Sequence, residues 1–527
     1  MWGRGSSRTL VIGTALAAFV VVCLLPPMYM LVLSVAPAAG RQSAFAALLL
    51  DTRQRELLAN SALLGAGTAI LATIVGVPLG LALARIPLRR KAVLRLALVA
   101  PVLLPPYVAG LAWIYLGGSR GLIAAVAGRD LLSDWTYSLP GAVIVLGLAL
   151  YPLSMLATEV AMRRIDGRLE EAALLVAAPG RTLRRITLPL AAPSILAAAL
   201  VVFVLAISEL GVPGLLRVRV YTTEVFTAFA ALYDFGRATL LALPLLLLSI
   251  AAAVVAGALG GERLLASRRG AGVPPLQFAA WRRPAGAAVS LVVAVALLIP
   301  LAVLGREALG GPSTRDVLAG SRDAIRNSLV LAATGATAIT ALAVWIGYAR
   351  ARSRPRVGRS MDVLLVVLFA LPSTIVGVGL IGLWNRPGPL GAVYGTNVMI
   401  LLAYLARLVP VAALALAASV RLIPASQEEA AAVSGAGWLR TMMHIVFPQI
   451  RHGLAAAWVV AFILAFGELG ATILVAPAGE ATLPIRIYTI IANTPSSHVA
   501  ALALLQTAVI LVPLAALGLT LSARENS

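Results

Sequence analysis

The sequence is short of the residues that most soluble chemistry uses. One lysine (Lys91), one cysteine (Cys23) and three histidines (His444, His452 and His498) stand among 527 residues, and only 12% of the chain is charged. Each shortage excludes something. A phosphate-gripping loop of the GxxxxGK[ST] type needs a lysine behind its glycines, whereas Lys91 lies in PLRRKAV. The chain is therefore expected to hydrolyse no ATP and to be no enzyme. A lone cysteine inside an apolar run builds no disulfide framework and reads as a small buried residue. The histidines lack HExxH or paired-cysteine spacing, which argues against a metal site. Aromatic residues are 6% of the chain and are not interleaved with basic ones, so the formal charge of +21 does not point to nucleic acid.

What the chain does have is apolar length. Hydrophobic residues make up 61% and the mean hydropathy is +0.97. Crossing about 30 Å of hydrocarbon takes roughly 20 apolar residues. Twelve runs meet that need, near 9–35, 60–84, 94–117, 139–162, 190–212, 238–261, 285–305, 327–349, 361–384, 396–418, 453–475 and 498–522. The first is longer than the roughly 7–15 residues of a secretory core, so it reads as a retained helix. Of the 42 basic residues, 27 fall at the termini and in every second loop, against 14 in the opposite loops. By the positive-inside rule both termini are cytoplasmic, in a bacterial inner membrane.

The pattern is written twice. Asn60-Ser61 opens the second run and Asn327-Ser328 the eighth, while Pro189 and Pro448, like Glu209 and Glu468, stand 259 residues apart. The expected fold is an all-α polytopic membrane protein made of two tandem six-helix repeats. The first repeat covers 1–262, a cytoplasmic linker 263–284, and the second repeat 285–527. An even number of spans per repeat gives both copies the same orientation, with their pseudo-twofold axis along the membrane normal.

The duplicated signal is a cytoplasmic loop, EEAALLVAAPGRTLRRITLP from Glu170 and EEAAAVSGAGWLRTMMHIVFP from Glu428. Acids in a first helical turn suit the helix dipole. Ala178-Pro179-Gly180 then breaks the first copy, and Gly435 and Gly437 break the second. Arg181, Arg184 and Arg185 restart the first at helical spacing, with Arg440 and His444 at the matching places of the second. Two short helices at an angle are predicted in each. Arginines alone would serve anionic lipid head groups, but a paired acid, small alanines, a break and a closing proline in the same order twice describe a docking knob.

This order is similar to the EAA loop of ABC-importer permeases, and the layout resembles the fused, two-in-one permeases of the ferric-iron and thiamine type. Glu429, Ala430, Ala431, Gly435, Arg440 and Pro448 carry the resemblance in the second copy, and Glu171, Ala172, Ala173, Arg181 and Pro189 in the first. The first copy departs from the pattern: Pro189 follows Glu171 by eighteen residues instead of nineteen, and the expected glycine is replaced near Val176 and Ala177. The resemblance implies a type I importer fold and a helix in each loop seated on one of two copies of an ATP-binding subunit. It also implies alternating access driven by ATP and Mg in that partner, with no cofactor in this chain. A periplasmic or lipid-anchored binding protein would deliver the solute.

Glu209 in ISELGVP and Glu468 in FGELGAT each follow the loop-closing proline by twenty residues, about 30 Å of helix, and so fall at the far end of spans five and eleven. Two readings stand. An acid at the edge of a span is a pathway candidate that would favour a cation; alternatively, both meet water or the binding protein. Arg407, inside span ten, either pairs with an acid or snorkels. Ferric iron is the first expectation for the solute, with thiamine, phosphonate or polyamine as alternatives of the same architecture. An ion-coupled secondary transporter is the competing class, marked by mid-membrane acids or histidines, whereas the clearest acids here lie near span ends and the repeated signal is cytoplasmic.

Overall fold

In a computed structural model, which describes residues 6–35, 51–232, 234–260, 278–311 and 314–525, every regular element is helical. Among the described residues eleven helices are long and apolar enough to cross a membrane, and a bent pair supplies a twelfth span. In chain order the elements used below are α1 (Ser7–Val32), α2 (Thr52–Arg85), α3 (Lys91–Leu103), α4 (Pro106–Gly117), α5 (Leu139–Arg164), α6 (Gly167–Leu174), α7 (Pro179–Ile207), α8 (Phe235–Gly260) and α9 (Arg282–Leu309). The second half continues with α10 (Arg322–Ala351), α11 (Pro355–Ala370), α12 (Ser373–Trp384), α13 (Val398–Arg421), α14 (Ala425–Val433), α15 (Trp438–Phe466), α16 (Thr472–Val475) and α17 (Ser496–Glu525). Of the expected linker, residues 263–277 lie outside the described residues.

Two apolar runs that the sequence suggested were continuous are broken. The run near 94–117 divides into α3 and α4 at Leu104-Pro105, and the run near 361–384 into α11 and α12 at Leu371-Pro372, where the chain turns by 93°. Proline pushes the residue before it out of helical geometry, and Leu104 (ψ 138°) and Leu371 (ψ 134°) are accordingly extended. The two breaks are 267 residues apart, the same interval as Asn60 to Asn327.

The described chain forms two compact units, and each draws on both halves of the sequence. One comprises 1–39, 225–246 and 321–486; the other comprises 40–224, 247–320 and 487–527. In the latter, α2, α5 and α7 pack as a bundle, and α9 lies against α4 and α17. In the former, α10, α13 and α15 form the corresponding bundle, and α1 packs on α10, α12 and α13. Cys23 is buried there, with its thiol 3.6 Å from the Leu405 carbonyl.

Glycine permits close backbone approach in each bundle. A Cβ on Gly80 of α2 would overlap the Met155 carbonyl, and one on Gly347 of α10 would lie 2.9 Å from both Ala413 O and Ala417 N. With no hydrophobic force between helices in lipid, such close backbone approach is what favours their association. Gly80 and Gly347 again stand 267 residues apart.

Candidate functional site: the duplicated docking loops

Each loop forms one short helix, α6 or α14, whereas the second short helix that the sequence suggested is the first turn of the long helix α7 or α15. In the first, Asp166 caps α6 by accepting from Arg168 N at 3.0 Å; the chain breaks after Leu174 and restarts at Pro179. In the second, α14 ends in a turn where Gly435 takes φ 86°, a left-handed conformation that suits glycine, and α15 begins at Trp438. The first copy has one residue fewer and makes its break without a left-handed residue. That is why it can dispense with the glycine.

Before each closing proline the helix widens. Leu188 N reaches back five residues to Leu183 O, and Phe447 N to Met442 O. Pro189 and Pro448 have no N–H to offer the preceding turn, so the ladder is already interrupted there.

The adjacent acids divide into two roles, which the sequence reading did not separate. Glu170 is fully buried and accepts from Arg85 Nη2 at 2.6 Å and from Thr187 Oγ1 at 3.0 Å. Arg85, the last residue of α2, also donates to the Met162 carbonyl at 2.9 Å. In the second copy Glu428 accepts from Arg352 Nε at 2.8 Å and from Tyr348 OH at 2.7 Å, while Arg352 donates to the Ile423 carbonyl at 3.0 Å. Trp438 Nε1 donates to Tyr348 OH at 3.3 Å. In the sequence, Arg85 and Arg352 are two of the 27 basic residues at the termini and in every second loop, with nothing local to mark them out. Their 267-residue interval was the signal that could have singled them out.

The second acid of each pair, Glu171 or Glu429, is exposed. Four residues on, Leu175 is 87% and Val433 90% exposed, an unusual state for side chains of this kind. Arg181, Arg440, Pro189, Pro448, Ala172, Ala430 and Gly435 are exposed as well; Ala431 is half-buried and Ala173 buried. Each loop thus presents a free carboxylate beside an apolar knob.

Glu209 and Glu468 sit two residues beyond the ends of α7 and α15. Glu468 is only 8% exposed and caps α16, accepting from Ala471 N and Thr472 N, each at 2.9 Å, and from Thr472 Oγ1. Arg407 pairs with it, Nε lying 3.9 Å from Oε1. Gly470 is required beside it, since a Cβ there would overlap Ser373 Oγ at the start of α12. Glu209 is half-buried and accepts from Gly211 N at 3.0 Å, while its carbonyl accepts from Thr222 Oγ1 at 3.0 Å. Burial and, secondarily, nearby Glu209 push the Tyr488 phenol above its usual range.

A polytopic helical protein with two matching loops of this kind is the membrane part of a transport system. The chain belongs to the binding-protein-dependent transport system inner membrane components, whose pattern matches twice, over residues 76–261 and 322–524. It is similar to the putative ferric transport system permease protein FbpB 1 of Haemophilus influenzae, 23% identical over 460 residues that cover 82% of this chain and 72% of that protein. The Fe(3+)-transport system permease protein FbpB 2 of the same organism is 25% identical over 84% of this chain and 85% of its own. The molybdenum transport system permease protein ModB of Mycobacterium bovis is 30% identical, over 40% of this chain and 81% of its own.

This is therefore a multi-pass inner-membrane permease of an ABC importer. Such a component has neither ATPase activity nor a cofactor, and it works with an ATP-hydrolysing partner and a binding protein. Membership of the family sets aside the ion-coupled transporter.

Proposed function

We propose that this permease carries ferric iron, with both termini cytoplasmic and one copy of an ATP-binding subunit seated on each docking loop. The observation that supports iron is extent: the ferric permeases match over more than four-fifths of the chain, more than either repeat could supply alone. The proposed repeats are 1–262 and 285–527, joined by 263–284. Glu171 with Ala172, Ala173, Arg181 and Pro189, and Glu429 with Ala430, Ala431, Gly435, Arg440 and Pro448, form the two contact surfaces. A buried groove on the partner would desolvate the exposed acid, where a basic residue gives it a strong charged contact. Closure of the partner around ATP would then move both loops together.

Glu209 and Glu468 remain our pathway candidates. A second reading draws on Arg407: its guanidinium beside Glu468 offsets the charge that argued for a cation, which leaves room for an oxyanion. The test is ATP hydrolysis and uptake by the complex in proteoliposomes with its cognate binding protein, offered ferric iron or molybdate. Iron-stimulated hydrolysis with iron-55 uptake is expected; stimulation by molybdate alone would replace iron with the oxyanion.

A further inference from the structure

Each docking loop is joined by the chain to α5 or α13 on one side and runs into α7 or α15 on the other. Those connections are compliant, since residues 165–166 and 422–424 are short non-helical joints and the loops themselves break at 175–178 and 434–437. A push on α6 or α14 could be spent in bending them. The ion pairs remove that freedom. Glu170 fastens α6 to the end of α2, and Glu428 fastens α14 to the first residue past α10, which are far from the loops in sequence. The same spans carry Gly80 and Gly347, the points where their backbones touch α5 and α13.

We propose that Arg85–Glu170 and Arg352–Glu428 are joints through which each docking loop drives its own helix bundle, making these four positioning residues for coupling. The inference rests on the docking role given to the loops above. Its support is that the pair recurs in both repeats, the arginines 267 and the acids 258 residues apart, although the groups around it have changed: Thr187 assists the first, Tyr348 and Trp438 the second.

The joints are unequal. The first is dry, its side chains 3% and 0% exposed, with Arg85 Nε and Glu170 Oε2 buried and lacking hydrogen-bond partners. The second is 15% and 16% exposed, and both carboxylate oxygens are bonded. Removing one partner of a dry pair strands a charge and endangers folding, so the second joint is the place to test.

The experiment uses the full permease assembled with its ATP-binding subunit and binding protein in proteoliposomes, and reads solute carried per ATP hydrolysed. Glu428→Gln and Arg352→Gln should each retain the ATP-binding subunit and hydrolyse ATP, yet carry at least about fivefold less solute per ATP. The charge-exchanged double variant Arg352→Glu with Glu428→Arg should recover to within about twofold of wild type. Unchanged solute per ATP in both single variants would overturn the proposal. So would an uptake loss that follows loss of the bound subunit and is not repaired by the exchange, because the pair would then only hold the fold. Uptake is measured with whichever solute the wild type carries, so a wrong substrate assignment leaves this test standing.

Discussion

At the scale of the residue, two adjacent glutamates do different work because helical spacing turns them about 100° apart. One reaches an arginine in the bundle and the other faces out. Replacing the outward acid should therefore weaken partner binding without disturbing insertion. For Glu171→Ala and Glu429→Ala we expect a loss of about 2–5 kcal/mol in the docked contact, measured as the fraction of ATP-binding subunit co-purifying with the permease. Glu429→Ala should be the more damaging, since the first loop is a residue short. Wild-type binding in the double variant would show that the loops face lipid or water alone. The outward acids were legible from the EAA order in the sequence. Their inward neighbours were not, because a salt bridge across 85 or 76 residues leaves no local pattern. Glu468 was legible as an acid at a span end, but its capping of α16 depends on the turn that follows.

At the scale of the element, apolar length located the spans but concealed the breaks at Leu104-Pro105 and Leu371-Pro372. Hydropathy averages over a kink, so 94–117 and 361–384 read as straight. The close contacts of α2 and α10 were equally invisible, since a glycine in an apolar run has the same hydropathy whether it faces lipid or a neighbouring backbone. They yield a sharp contrast. Gly347→Ala puts a Cβ 2.9 Å from two backbone atoms of α13, whereas one at Gly305 meets nothing within 4 Å. Forcing α10 and α13 apart should destabilise the bundle by about 1–3 kcal/mol, seen as a lower midpoint of thermal aggregation in detergent, with Gly305→Ala matching wild type. Equal midpoints for the two variants would mean that the helices separate freely.

At the scale of the whole molecule, the proposed orientation rests on the asymmetry of basic residues, which would give every loop a side. Since Cys23 is the sole cysteine, Cys23→Ser provides a background for single-cysteine labelling. A cysteine replacing Ser7 and one replacing Ser434 should both be protected from an impermeant thiol reagent in intact cells and react after permeabilisation. Labelling of either in intact cells would invert the orientation. The two repeats were legible from their intervals, but the compact units were not, because repeats follow chain order and packing need not. That interleaving bears on biosynthesis. The unit containing 40–224 also takes in 487–527, so its earliest helices enter the membrane long before their last companions are translated. At roughly 5–20 residues per second the wait from α2 to the end of α17 is about 20–90 s. Throughout it, an unfinished unit stands open to membrane proteases and to wrong neighbours, and a ribosome stalled after residue 486 would leave most of the protein inserted yet that unit without its last helix.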